Sequence, residues 1–270
     1  MSAYQALRQT ARVLGAVPGI RHARQVAYRR RFLQNENRNL FLGVYPSFEE
    51  AARRAPPVRP LGYDNPHSAR MYAPCVYSYD YAAMFWLDRS FAEGLRSVFD
   101  LGGHVGIKYH AFRPHMAYPQ DLRWTVCDVP AVVERGRQIA AAQGHNPQLR
   151  FTTDFSEASG TDVLFASGSL QYLPQTLGQL LGQLAALPRR IILNITAVHP
   201  TRSYITLNSI GTAFCPYRVV AREELLADFK AHGYLQHDAW ENAGKTLVLP
   251  FVKGLDLESY SGFCFDLQSG

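Results

Sequence analysis

The chain reads as an α/β protein built on a mostly parallel sheet of seven strands, closed by a C-terminal β-hairpin and preceded by a helical N-terminal extension. Three observations predict this. Between Ser97 and Ile195, short apolar runs alternate with helical segments, as parallel strands joined by crossover helices do. The first of those runs feeds a glycine-rich turn, SVFDLGGHVG from Ser97 to Gly106. Acids then stand at the ends of the first three strands, at Asp100, Asp128 and Asp154.

Val98 and Phe99 are the end of a buried strand, and Gly102, Gly103 and Gly106 relieve crowding where a helix begins. In a Rossmann-like sheet such a turn lets a ligand approach the backbone while the N–H groups of the helix face it. The pattern is D-x-G-G-x-x-G rather than the G-x-G-x-x-G of dinucleotide sites. An acid just before the turn repels a pyrophosphate and suits a cationic or hydroxyl-bearing ligand. The stretch resembles motif I of the class I S-adenosylmethionine-dependent methyltransferases, D/E-x-G-x-G-x-G. That resemblance implies S-adenosyl-L-methionine as cofactor, with Asp100, Gly102, Gly103, His104 and Gly106 lining its methionine side. His104 stands where the motif has its middle glycine, and reads either as a change of turn shape or as a contact to the cofactor carboxylate.

A length of 270 residues with 47% hydrophobic content is ample for a sizeable core. Cys75, Cys127, Cys215 and Cys264 are scattered without a C-x-x-C pair, so neither a zinc site nor a disulfide framework is indicated, and a reducing cytoplasm is expected. No apolar run has the roughly 18 to 20 residues a membrane span needs. The formal net charge of +6 comes from one end, since residues 1–60 hold eleven arginines against Glu36, Glu49 and Glu50. There Leu7, Ala11 and Leu14 fall at helical spacing beside Arg8 and Arg12. Arg21, Arg24 and Arg29-Arg30-Arg31 follow the Pro18-Gly19 break. This basic arm reads either as a solvated helix pair packed on the domain or as a segment that meets an anionic partner, such as the inner membrane surface. The chain divides into an extension and lid over residues 1–92 and a sheet domain over residues 93–270.

Within the extension, Ser47 and Glu50 have capping-box spacing, which predicts a helix starting near Phe48. The aromatic stretch from Met71 to Phe91 predicts a second helix that closes over the end of the first strand. One of Tyr79, Asp80 and Tyr81 is expected at the pocket, and Tyr81 is taken as the cofactor contact. GVYPSFEEA, then GYD and the aromatic helix, resembles a bacterial methyltransferase family found among surface-polysaccharide genes. The implied acceptor is a glycan or small-molecule hydroxyl.

Trp124 to Cys127 form the second strand, and Asp128 with Val129 then offers two oxygens to the vicinal diol of a ribose, while also suiting a helix N-cap before Pro130. Ala131 to Gly144 is helical. LRFTTDF is the third strand, ending at Asp154, and the resemblance places Asp154 and Phe155 beside the adenine. DVLFASGSLQYLP resembles the fourth strand and following loop of the same fold, which implies that methyl and acceptor meet near Ser167, Gly168 and Tyr172. A helix over Leu177–Leu187 precedes strand five at Arg190–Ile195. A polar aromatic loop (RSYITLNSIGTAFCPYRV), a helix over Arg222–Tyr234, and hairpin strands at Lys245–Val252 and Tyr260–Leu267 complete the chain.

Abstraction of a hydroxyl proton favours a histidine, and His199, just beyond strand five, is the candidate base, with Tyr172 and Tyr204 as acceptor contacts. No D-x-D pair is present and no metal is assigned. Two alternatives remain: a non-catalytic scaffold with a degenerate fold, favoured by His104, and a nicotinamide-dependent oxidoreductase, disfavoured by the missing G-x-G-x-x-G. Nucleic acid ranks below a glycan acceptor because no N-P-P-Y loop follows strand four.

Overall fold

The computed structural model describes residues 18–143 and 146–268. Leu7, Ala11 and Leu14 of the basic arm, and the glycine stop at Gly144, lie outside them. The central sheet has seven strands: β2 (Ser97–Leu101), β3 (Arg123–Cys127), β4 (Leu149–Thr152), β5 (Val163–Ser167), β6 (Arg190–Thr196), β10 (Tyr234–Asn242) and β11 (Tyr260–Leu267). Their spatial order is β10-β11-β6-β5-β2-β3-β4. The five inner-to-edge strands β2 to β6 pair in parallel, and β11 enters antiparallel between β6 and β10. This is a Rossmann-like order, with a reversed hairpin at one edge.

Both faces of the sheet are covered. Val98, Trp124 and Phe165 pack under α3 (Tyr81–Ala92) and α4 (Ile107–Phe112), while Phe99, Leu164 and Leu193 pack under α6 (Leu177–Leu181) and α7 (Arg222–Ala231). Successive strand residues thus feed opposite cores, which explains the near-continuous apolar runs. Chain connections leave β2 and β5 in opposite directions, so the crevice beyond their carboxyl ends is a topological switch point.

A second sheet was not expected. The stretch read as a polar aromatic loop is a β-hairpin, β8 (Tyr204–Ser209) with β9 (Phe214–Ala221). It is flanked by β1 (Leu40–Tyr45) and by β7 (Val198–His199), in the order β1-β8-β9-β7. Every residue of β8 is buried, so no period-2 alternation marks it. The pairing of β1 with β8 joins the extension to the sheet domain across residue 92. The expected helix near Phe48 is α2 (Phe48–Arg53), with Ser47 Oγ accepting from Glu50 N–H at 3.1 Å. The other two helices are α1 (Pro18–Leu33) and α5 (Pro130–Ala142).

Four boundaries differ from expectation, and the first is the helix expected to reach Tyr234, which stops at Ala231. The sixth strand is Tyr234–Asn242, not Lys245–Val252; it is an edge strand with mostly polar, exposed side chains, which hides it from an apolar-run search. The helix expected over Leu177–Leu187 stops at Leu181. The strand expected to end at Asp154 stops at Thr152, because Asp154 caps a 3-10 turn over Phe155–Ala158. No helix among the described residues is long and apolar enough to cross a membrane.

Asn35 holds the second sheet to the end of α1. It is buried, and its Nδ2 donates to Arg38 O at 2.6 Å and to Ser209 O and Oγ at 3.0 Å. Asn35→Ala leaves those acceptors unpaired and is expected to lower stability by about 1 to 3 kcal/mol in urea unfolding, against a negligible change for the exposed Arg24→Ala.

Candidate functional site

The glycine turn between β2 and α4 forms a tight cradle. A Cβ on Gly102, whose φ is +73°, would lie 2.2 Å from Ser169 Cβ, and one on Gly103 would lie 2.3 Å from Asp100 Oδ2. Both positions therefore exclude a side chain for reasons of contact, and Gly102 and Gly106 also for reasons of φ. His104 itself adopts φ +57°, the conformation the motif reserves for glycine. It is held there by a Tyr72 ring 5.1 Å away, and its Nε2–H donates to Ser68 O at 2.8 Å. Burial lowers the His104 pKa, so the ring is neutral. Nδ1 is left buried without a partner.

Asp100 is 1% exposed at the end of β2. Its Oδ2 accepts from Trp124 Nε1–H at 3.0 Å, while Oδ1 has no partner. Burial pushes its pKa up to about 7, an effect reinforced by the Asp128 charge and opposed by that hydrogen bond and by Lys108. Asp128, at the end of β3, accepts from His104 N–H at 2.8 Å and from Val129 N–H at 2.7 Å, and burial raises its pKa as well. Its carboxylate thus fastens the glycine turn to the neighbouring strand, and each oxygen retains a lone pair. Two raised acids and two orphaned polar atoms around one turn suit a ligand that brings hydrogen-bond donors or positive charge.

Asp154 is exposed, and its Oδ1 accepts from Ser156 N–H at 2.8 Å, which lowers its pKa. Phe155 packs edge-on against Phe99 at 5.7 Å, one strand end away from the cradle. On the other side, Ser169 Oγ donates to Leu101 O, which brings the Ser167-Gly168-Ser169 turn against the glycine turn. Gly168 has φ +73° and its N–H donates to Asn194 O at 2.9 Å.

Tyr81, taken as a pocket residue, faces solvent at 64% exposure; its neighbour Asp80 is 0% exposed and is the residue at the site. Lys108 Nζ donates to both Asp80 oxygens, at 2.7 and 2.8 Å. Asn194, at the carboxyl end of β6, donates to Asp80 Oδ1 at 3.2 Å and to Ser167 Oγ at 3.5 Å. Its own carbonyl oxygen accepts from Asn242 Nδ2 at 2.8 Å and Trp240 Nε1 at 3.2 Å. Sequence reading missed Lys108, Asn194 and Asn242. One signal was available: only four of the 28 basic residues are lysines, and one follows the last glycine of the turn by two positions.

His199 does not suit the role of a base. Its Nε2–H donates to Gly254 O at 3.0 Å, and Nδ1 accepts from Thr201 and Arg202 N–H at 3.1 and 3.0 Å, so backbone groups use both nitrogens. Tyr172 donates to Asn208 Oδ1 at 3.0 Å, and burial holds its pKa well above the ordinary value, so it stays a phenol. Tyr204 is likewise engaged, donating to Leu255 O.

Neither a family model nor a curated protein matches the chain. Among solved structures, the mitomycin 7-O-methyltransferase MmcR is 16% identical with a TM-score of 0.41, over 69% of this chain and 54% of that one. The chain thus spans about half the length of that enzyme. A 1,6-didemethyltoxoflavin N1-methyltransferase from Burkholderia thailandensis is 18% identical with a TM-score of 0.43, over 73% of this chain and 93% of that one. An S-adenosylmethionine-dependent methyltransferase from Clostridium acetobutylicum is 12% identical with a TM-score of 0.46, over 77% and 96% of the two chains.

A carboxyl group whose folded pKa is about 7 against an ordinary 3.8 stabilises the fold fully below the lower value, and that contribution is lost as pH rises through the higher one. The free energy of unfolding is therefore expected to fall between about pH 4 and pH 7, and Asp100→Asn to flatten part of that slope in urea titrations.

Proposed function

We propose that the protein is an S-adenosyl-L-methionine-dependent methyltransferase acting on a hydroxyl oxygen of a glycan or small molecule. The observation that carries this reading is the pair of acids, buried Asp100 and half-buried Asp128, closing adjacent strands around a glycine turn at the switch point. The residues fit such a cofactor: Asp128 offers its remaining lone pairs to a ribose diol, and the unpartnered Asp100 Oδ1 accepts from an ammonium group. Gly102, Gly103 and Gly106 keep the turn free of side chains, Asp154 and Phe155 flank the adenine side, and Ser167 and Gly168 face the reacting end. When bound, the cofactor supplies an electrophilic methyl on a sulfonium. With His199 and Tyr172 both engaged, what the chain contributes is chiefly positioning of the acceptor and exclusion of water.

A scaffold reading is favoured by one observation: residues 64–72 lie over the cradle, with Ser68 O on His104 and Asp64 Oδ1 accepting from Ala131 N–H at 2.9 Å. On the methyltransferase reading this segment is the lid. The exposed Arg21, Arg24, Arg29, Arg30 and Arg31 of α1 support a role for this end in meeting an anionic surface on the cytoplasmic side of a membrane.

Calorimetric titration with S-adenosylhomocysteine separates the readings. Binding is expected with proton release near pH 7, because an ammonium beside Asp100 lowers a pKa that stands at about 7. Asp100→Asn should abolish the proton release, and Asp128→Asn should weaken binding about tenfold to a hundredfold by weakening a charge-assisted hydrogen bond. No heat with a folded sample would favour the scaffold. His199→Ala is expected to leave this affinity unchanged and to lower stability by about 1 to 3 kcal/mol in urea unfolding, since it orphans Gly254 O and two backbone N–H groups.

A further inference from the structure

Beside the cradle, across the 3-10 turn Leu170–Tyr172, lies a pocket of about 260 Å³ bounded by the end of β6, by β9 and by the helices α6 and α7. Two polar side chains lining it have buried atoms without partners: Gln171, through Oε1, and Arg218, through Nε. Gln171 is 5% exposed. Its amide orientation is set by Nε2, which donates to Ile195 O at 3.3 Å, so the oxygen is the atom left over. Arg218 spends one terminal nitrogen on Pro174 O at 2.6 Å and lies 5.9 Å from the Phe48 ring centre. No carboxylate lies within 4 Å of its guanidinium among the described residues. An orphaned acceptor and an orphaned donor on residues lining one pocket each cost free energy unless a ligand or water meets them.

The rest of the lining selects among ligands. Glu224 and Asp228 also border the pocket, so its two carboxylates outnumber its single guanidinium. A phosphate or carboxylate ligand would meet net repulsion, and an ammonium ligand would leave Arg218 Nε unsatisfied. A hydroxyl does both jobs, since it accepts from Arg218 and donates to Gln171, Glu224 or Asp228. Leu177, Val220 and Leu225 supply an apolar wall for carbon-bound hydrogens. The volume is just below the roughly 300 to 1,000 Å³ of drug-sized sites, so it takes one ring rather than an oligomer.

We infer that this pocket is a binding site for a neutral, polyhydroxylated ring such as a hexopyranoside, read by Gln171 and Arg218. Ser169, two residues before Gln171, touches the glycine turn, so pocket and cradle share one loop. Assigning the bound ring to the methyl acceptor rests on the methyltransferase reading; the pocket's preference for a neutral sugar does not.

The test is titration of the isotope-labelled full chain with methyl β-D-glucopyranoside, methyl α-D-mannopyranoside and methyl α-L-rhamnopyranoside, followed by amide chemical shifts, with inorganic phosphate as the anionic probe. At least one pyranoside is expected to shift the signals of Gln171, Thr196 and Ala197, and phosphate to leave them in place. Gln171→Met and Arg218→Leu should each weaken that binding about tenfold. Two independent variants guard against one that merely unsettles the loop, whose folding the same spectra report. Silence from all three pyranosides, shifts driven by phosphate, or affinity unchanged in both variants overturns the inference. Calorimetry with S-adenosylhomocysteine on the same sample keeps the two ideas apart. Sugar binding without cofactor binding sinks the methyltransferase reading and spares the pocket, and the reverse result sinks the pocket alone.

Discussion

Asp80 has no exposed surface, and its carboxylate can remain there because Lys108 neutralises it and Asn194 and the Tyr77 N–H complete its hydrogen bonds. A buried ion pair adds little net stability, but loss of one partner strands a charge at a cost of about 3 to 5 kcal/mol. The pair therefore works as a constraint on geometry. It ties the head of α3 to the first turn of α4, and through Asn194 and Asn242 it ties both to the ends of β6 and β10. Four segments far apart in the chain meet at one charge, beside the glycine turn whose shape depends on where α4 begins.

The same junction holds backbone strain. Ile195 has φ +53°, a conformation that a β-branched residue adopts only at a cost of about 1 to 3 kcal/mol. Side chains hold it from both sides, with Asn242 Oδ1 accepting from its N–H at 3.0 Å and Gln171 donating to its carbonyl. The kink turns the chain out of β6 towards β7 and the second sheet. It also divides the polar hub around Asn194 from the pocket lined by Thr196 and Ala197. Strain at this point is thus part of what separates two chemically distinct compartments around one loop.

The cradle is electrostatically uneasy in the same way. Asp100 and Asp128 are desolvated next to each other, with one oxygen of Asp100 lacking any partner, and the neutral His104 ring offers an unpaired nitrogen nearby. Histidine at the motif's middle position costs backbone strain that glycine would avoid. In return its ring reaches Ser68 and fastens residues 64–72 over the turn. Departure from the motif and placement of this segment are one structural fact.

Much of this was legible from local pattern. Apolar runs, glycine spacing and acids at strand ends identified β2 to β6 and the cradle, because a strand buried on both faces and a turn with positive φ each restrict the residues that can occupy them. The Ser47 cap was legible for the same reason. Asp80 in place of Tyr81 was not, since neighbouring residues on one turn differ only in the direction they face. Nor was the engagement of His199, whose partner Gly254 lies 55 positions away. β8 and β10 escaped for opposite causes, one buried on all sides and one polar along an edge, so neither carries the alternation of a half-buried strand. Sequence alone determined strands β2 to β6 and β11 of the central sheet, their order in the chain and the turn that a ligand would approach. Tertiary structure decided which polar groups are spent and which are left over, because hydrogen-bond partners distant in the chain are chosen only when the layers pack.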